Sequence, residues 1–508
     1  MVLQHLDTVP KKISLNVNID GLPLFKSSKH QVWPILCNIH EYPNIPPLVV
    51  GVYEGTNKPV DLNSFLQPFV DELLELYRNN LKLTTQQNIE TTTTVNLRAI
   101  ICDSPARALI KGVCNFNAKH GCLKCNVVGE YSHVSHTVTF QETNSVRRND
   151  TDFRAKKYGD HHKRDSPFLQ LPIDMVEDFP VGDSLHLVDL GIMKRLLFGW
   201  RDGNLGKLTT KWSTRDIAKV TQFIMSCRMP REIHRNLRGL HDLSNWKATE
   251  YRTFLLYASF IILKDVLAYG PYHHFLNFFC AVTICSSQQH FQFLPIARMM
   301  LLYFVEHYRD HYGKEYITSN VHNLIHLVDE VKRFGPLQTF NAYPFENKLS
   351  SIKRTIRKGN KPLQQIGNRL MERNTIEIEQ FSNNDNNIPV IKTYKYKKTS
   401  ITMIRLDSFI LSTDNQNKWF LTNNNDVFEI ISMVNYDTCI SFIGNIIQNV
   451  SEVFEKPIKS SFLNIFMTNC TSIRRLKTSF NIADIKCKLV VIEYGSNNYY
   501  VPLIHTLK

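Results

Sequence analysis

Long apolar runs are missing from this chain, and their absence removes a class of function. No stretch of eighteen or more uncharged apolar residues occurs, which is the length a membrane-spanning helix needs. The N-terminus also lacks the basic, apolar, small-residue order of a secretory leader, so a soluble, intracellular protein is expected. No glycine-rich loop of the P-loop type is present, which argues against an NTPase. "HNLIH" sets His322 and His326 at the spacing of a zinc-protease helix but lacks the glutamate that would act as base. Peptide hydrolysis is disfavoured, and the pair reads as packing or hydrogen bonding between helices. There is no internal repeat, no readable Ser-His-Asp signature, and no stacking pattern among the 5 tryptophans. The 11 cysteines, odd in number and mostly scattered, make no disulfide framework. They are free for metal.

What the chain has in excess is positive charge. A formal net charge of +14 argues for an anionic partner, with nucleic acid first, although charge alone would also fit a membrane surface. A length of 508 residues favours two to four structural units.

Chemistry first appears where strands end. In "SLNVNIDGLPLFKSSKH", Ile13, Leu15, Val17 and Ile19 alternate with Ser14, Asn16, Asn18 and Asp20, the pattern of a half-buried strand that stops on an acid. "QVWPILCNIH" and "PLVVGVYEG" read as two further strands. "DLNSFLQPFVDELLELYRNNL" has helical spacing with Asp61 as N-cap. "TVNLRAIICD" is an apolar central strand that also ends on an acid, Asp103. If the two strands are neighbours, both carboxylates lie at one sheet edge, where hard divalent cations can be shared. Two such ions activate a water or 3′ hydroxyl and stabilise the leaving oxygen in phosphoryl transfer. Taken alone, Asp20 also fits an ordinary Asp-Gly turn.

That chemistry wants a third acid, and "YPFENKLSSIKRTIRKGNKPL" offers one. Phe345, Leu349, Ile352 and Ile356 make the apolar face of a helix, and Glu346, near its start, falls on the other face. Lys348, Lys353, Arg354, Arg357, Lys358 and Lys361 follow as a basic run suited to phosphate backbones, or to a plain solvated face. Elsewhere, "HGCLKCNVVGE" places Cys122 and Cys125 at the spacing of half a zinc site. One of His161 and His162 is the expected third ligand, and the fourth position is open between Cys114 and His120.

The order of "NIDGLPLFKSS", "IICDSPARALIKG", "CLKC", "FPVGDSLHLVDLGIMKRLLFGW", "HNLIHLVDEVKRFGPL" and "YPFENKLSSIKR" resembles that of CACTA-like transposases with a ribonuclease-H-like catalytic domain, over residues 12 to about 375. The resemblance implies a DDE-type nuclease and strand-transferase with Asp20, Asp103 and Glu346 holding two Mg²⁺ or Mn²⁺ ions. It implies double-stranded DNA as substrate, a nuclear location, and a homo-oligomer in a synaptic complex. It also implies that Asp183 and His186 of "DSLH" support the site or position DNA, where the residues alone would allow a mere helix start. The family's pairing of this CxxC with a later histidine supports a structural zinc.

The expected architecture is α/β: a ribonuclease-H-like mixed sheet interrupted by a zinc-binding segment and a large all-α insertion, then a small β-rich C-terminal domain. In residue terms, 1–112 is the first part of the catalytic domain, 113–170 the Cys/His-rich insertion and 171–335 the mainly helical insertion. Residues 336–378 carry the last catalytic helix, 379–399 form a polar linker, and 400–508 form the β-rich domain. Against that family the chain begins almost at the first catalytic strand, so an N-terminal DNA-recognition region is expected to be absent. An inactive, domesticated DNA-binding or scaffold protein, or a ribonuclease-H-fold nuclease acting on RNA or hybrids, are the competing expectations.

Overall fold

The computed structural model describes residues 10–507 apart from 26–27, 85–89, 207–209, 358, 383–390, 397–398 and 437–438, with the backbone alone at 373–382, 395–396, 399 and 436. Two compact units result, and the chain passes three times between them: residues 1–187 with 318–385, and residues 188–317 with 386–508.

The alternation at the start of the first unit becomes strand β1, Lys12–Ile19. After the two-residue strand β2, Leu22–Pro23, come β3, Gln31–Ile39, and β4, Leu48–Gly55. Helix α1, Leu62–Asn79, follows, capped by Asp61, whose carboxylate accepts from the amides of Asn63 and Ser64. Strand β5, Leu81–Thr84, then leads to β6, Glu90–Ile100, and helix α2, Ser104–Lys111. β4, β3 and β1 are successive antiparallel neighbours, β6 lies parallel to β1, and β5 is antiparallel to β6. Leu66, Phe69, Val70 and Leu73 of α1 enter one core with Val17, Ile19, Ile35, Leu97 and Ile100, each burial worth about 1.5–3 kcal/mol.

The face of β1 expected to be polar and half-open is covered. Asn16 and Asn18 are 2% and 1% exposed, and each makes a side-chain hydrogen bond, although Asn18 Oδ1 is left without a partner. Arg98 donates to Asn16 Oδ1 at 2.9 Å and to Thr339 O at 3.2 Å, and Asn18 Nδ2 donates to Ile101 O at 2.8 Å. Residues that return to the unit late in the chain therefore close over this side of the sheet. A buried strand with polar side chains survives because those side chains are hydrogen-bonded.

Short elements fill 113–170, among them the hairpin Glu130–Ser132 and Thr137–Thr139. A π-helix, Ser184–Met193, starts directly after Asp183. Later come the helices Ser319–Asn323, Leu327–Phe334, Tyr343–Thr355 and Pro362–Ser382. The second unit pairs helices, including Tyr269–Cys285 and Leu294–Glu306, with a seven-stranded antiparallel sheet and a three-stranded one. Phe454 meets Phe260 and Phe279 edge-on, each at 6.1 Å. Buried Lys488 donates to both oxygens of Glu232, at 3.0 and 2.8 Å, and to Asn417 Oδ1 at 2.6 Å.

The expected linker over 379–399 needs correction. Ile391–Tyr396 is a strand paired with Thr399–Arg405, its Ile, Thr and Tyr residues being good strand formers. Residues 383–390 and 397–398 of that stretch lie outside the described residues.

Candidate functional site

Two carboxylates reach one sheet edge through register. Val17 of β1 lies beside Ile100 of β6, and counting equally along both parallel strands brings Asp20 level with Asp103. The coupling persists past the strand ends: Ile101 N–H donates to Val17 O at 2.8 Å, and Ile19 N–H meets Cys102 Sγ at 3.3 Å. Asp103 is also the N-cap of α2, its Oδ1 accepting from Ala106 N–H at 2.7 Å. Asp20 Oδ1 accepts from Gly21 N–H at 2.7 Å. Trp33 packs against Gly21 so closely that a Cβ there would lie 2.8 Å from its ring, so the Asp-Gly turn accepts no larger residue without moving the indole.

Glu346 sits in the first turn of Tyr343–Thr355, whose face of Phe345, Leu349 and Ile352 is buried. Its electrostatic field reaches Asp20. Burial first, then Asp103 and Glu346, lift the Asp20 carboxyl to about 7. Burial likewise raises Glu346, with Asp183 and Asp103 adding to the rise and His186 opposing it. Three acids crowded this way repel one another and favour a hard cation among them.

Asp183 fastens the arrangement. It is fully buried; Oδ1 accepts from Ala342 N–H, at the start of the Glu346 helix, at 2.8 Å, and Oδ2 accepts from His186 Nδ1 at 2.5 Å. Burial alone would raise its pKa, but the bonds from His186, Ala342 and Leu185 hold it below its ordinary value. Burial pulls His186 down, yet the bond to Asp183 and the charges of Asp183, Glu346 and Asp103 carry it above its ordinary value. The acids around it thus favour the charged form of this imidazole. Behind α2, buried Arg107 donates to Cys102 O at 2.6 Å.

Of the basic residues after Glu346, Lys353, Arg354, Arg357 and Lys361 are exposed and Lys348 is half-buried. Lys353 Nζ donates to Pro23 O at 2.6 Å, which ties this helix to the loop after Asp20. Lys358 lies outside the described residues.

The expected zinc ligands need correction. Cys122 and Cys125 gather with His322 and His326, all four buried, their ligand atoms within 4.8 Å of one another. The Cys122 and Cys125 sulfurs are 3.5 Å apart, and the Nε2 atoms of His326 and His322 lie 3.4 and 3.3 Å from the sulfurs of Cys122 and Cys125. A tetrahedral zinc would set sulfur pairs roughly 3.8 Å and sulfur–nitrogen pairs roughly 3.5 Å apart, so the cluster could hold a zinc ion with little adjustment. Burial opposes a thiolate at Cys122, but the Cys125 thiol and both imidazoles outweigh it and draw its pKa well below the ordinary value.

His161 and His162 are elsewhere. His161 Nδ1 donates to His120 O at 2.7 Å, while Cys114 Sγ donates to the same oxygen at 3.0 Å. His162 stacks on Tyr158. Cys114 N–H donates to His161 O at 2.8 Å, which pins both histidines beside the end of α2. The bond between His322 and His326 and the cysteines was readable as two incomplete half-sites, a CxxC without histidines and an HxxxH without further ligands.

Residues 2–171 match the model of the family described as Transposase family tnp2, which supports a transposase family for this chain. Residues 382–503 match that of a domain of unknown function, DUF8592. No curated protein matches the chain. Among the described residues no helix is long and apolar enough to cross a membrane.

Proposed function

We propose that this chain is a transposase, or a protein derived from one, that cuts DNA and joins the freed 3′ hydroxyl to a target by two-metal phosphoryl transfer on a DDE triad. The observation that carries the reading is the parallel register of β1 and β6, with Val17 beside Ile100, which counted onward sets Asp20 level with Asp103, with Glu346 within their electrostatic reach. The strand order supports a ribonuclease-H-like domain, and the tnp2 match over residues 2–171 supports the transposase branch over an RNA nuclease.

Asp20, Asp103 and Glu346 would hold two Mg²⁺ or Mn²⁺ ions. Bound there, such ions lower the pKa of a water or 3′ hydroxyl and stabilise the leaving oxygen. Asp183 orients His186 through Oδ2 and holds the start of the Glu346 helix through Oδ1. His186, partly open, would donate to a phosphate oxygen. Lys348, Lys353, Arg354, Arg357, Lys358 and Lys361 would grip the backbone of the duplex. Cys122, Cys125, His322 and His326 would hold a structural zinc. Acting on transposon ends puts the protein in the nucleus and, during synapsis, in a homo-oligomer.

The test is Mn²⁺ titrated into the purified protein with labelled duplex DNA and an RNA–DNA hybrid as alternative substrates. Nicking of the duplex should fall to background in Asp20→Asn and in Asp103→Asn while DNA binding persists. Asn caps helices as well as Asp does, so Asp103→Asn spares the fold. Cleavage that survives the substitutions overturns the triad. Preference for the hybrid overturns the transposase branch, and binding without any cleavage points to a domesticated DNA-binding protein.

A further inference from the structure

Between the cysteine–histidine cluster and the acid site lies a buried ion pair that neither uses directly. Lys124 stands inside the CxxC loop, between Cys122 and Cys125. Glu330 stands one helical turn after His326. Each is 1% exposed, and Lys124 Nζ lies 3.2 Å from Glu330 Oε1. Lys124 also donates to Val176 O at 2.8 Å.

Glu330 spends both oxygens on consecutive backbone amides. Oε1 accepts from Val181 N–H at 2.8 Å and Oε2 from Gly182 N–H at 2.6 Å. The next residue is Asp183, whose carboxylate holds His186 and the amide of Ala342. Glycine at 182 is required by this approach, because a Cβ there would lie 2.4 Å from Leu327 and 2.6 Å from Glu330 Oε2. A continuous polar path therefore runs from the CxxC loop through Lys124, Glu330 and Asp183 to the helix that carries Glu346.

Stability alone does not account for this pair. A buried ion pair gains little over well-packed apolar residues of the same size, and its attested use is to fix a geometry. A carboxylate clamped on two successive amides fixes the backbone entering Asp183 far more tightly than apolar packing would. We infer that Lys124 and Glu330 are positioning residues that tie the cysteine–histidine cluster to the acid site, so that the placement of Asp183, His186 and Glu346 depends on the CxxC loop being in place. The inference rests on the two-metal reading above for its consequence, though not for its geometry.

The experiment uses the full zinc-loaded chain in three forms: Glu330→Gln, Lys124→Met and the double variant. Zinc content, Mn²⁺ affinity, the Mn²⁺ electron paramagnetic resonance spectrum and hydrogen exchange across residues 181–186 and 340–344 are measured. The expected result is zinc retained at the wild-type stoichiometry and Mn²⁺ affinity lowered about tenfold or more, the usual cost of losing an outer-shell partner. The resonance spectrum should change, and exchange at Ala342 should accelerate by a similar factor. The double variant removes both charges of the pair together, so it decides the matter if either single variant fails to fold.

A folded double variant with unchanged Mn²⁺ affinity and unchanged exchange at Ala342 overturns the inference. If the wild-type chain binds no Mn²⁺ at the acids, the functional reading fails separately. The exchange data then decide: acceleration at Ala342 upholds the positioning role, and none overturns it.

Discussion

The first unit departs from the second at one cluster of buried charge, although both hold paired buried ions, Lys124 with Glu330 in the first. In the second unit buried Lys488 lies on Glu232, and buried Glu250 has Arg238 at 2.7 Å. Its buried histidines are held neutral. His274 Nε2 donates to Phe304 O at 2.8 Å and burial pulls its pKa to about 3; His290 is pulled to about 4 by the same cause. In the first unit Asp20, Asp103 and Glu346 converge, with His186 beside them opposing the rise in the pKa values of Asp20 and Glu346. Locally compensated charge is what a fold needs to stand. Like charges brought together raise one another's pKa and mark a place where an external cation completes the balance.

The largest effect that would sharpen this contrast is loss of zinc. Cys125→Ser should abolish zinc uptake, measured as metal content, and should loosen the first unit. Structural zinc contributes about 10–16 kcal/mol of apparent folding free energy in small domains. Hydrogen exchange should accelerate across 112–187 and 318–346 while residues 420–500 keep their protection. Equal loosening of both stretches would break the contrast.

A smaller effect is expected in the second unit. Lys488→Met leaves Glu232 buried without its cation and should destabilise by about 3–5 kcal/mol in denaturant unfolding. Replacing Glu232 by Leu as well should recover most of that loss. Mn²⁺-dependent nicking by the folded fraction should be the same in both variants, since neither residue belongs to the acid site. A double variant as unstable as the single one would mean that Lys488 does more than balance Glu232.

How much of this was legible in the sequence follows from how local each signal is. The strand-acid pattern at Asp20 and Asp103 needed only a period of two, and the Glu346 helix only its spacing of Phe345, Leu349 and Ile352. The cysteine partners were not local. His322 and His326 stand some two hundred residues from the CxxC and look like packing residues until the fold brings them to the sulfurs. Asn16 and Asn18 misled for a related reason: alternation shows two faces, but not that residues near Thr339 return to cover the polar one. The strand at Ile391–Tyr396 was hidden by its lysines, which suit an edge strand as well as a linker.

The smallest expected effect is a pH dependence carried by single buried histidines such as His274. The folded state keeps His274 neutral down to about 3, whereas its ordinary value is 6.5. Between those values the unfolded chain binds a proton that the folded one excludes, so this contribution is complete above 6.5 and is lost as pH falls. The slope is about 1.4 kcal/mol per pH unit for each such histidine. Stability measured from pH 7 to 5 should show it, and His274→Phe should flatten the slope if the replacement packs.

The repeated crossing of the chain between its units also sets a timetable for synthesis. Asp20, Asp103 and both cluster cysteines emerge early, while His322, His326, Glu330 and Glu346 come only after the whole stretch 188–317. At about 5–20 residues per second, the growing chain carries two strands and a thiol pair for many seconds before their partners arrive. A message cut short anywhere before Glu346 therefore yields a polypeptide without its third acid, and a DNA-cutting activity built on all three acids would be withheld until translation has passed the helix that completes it.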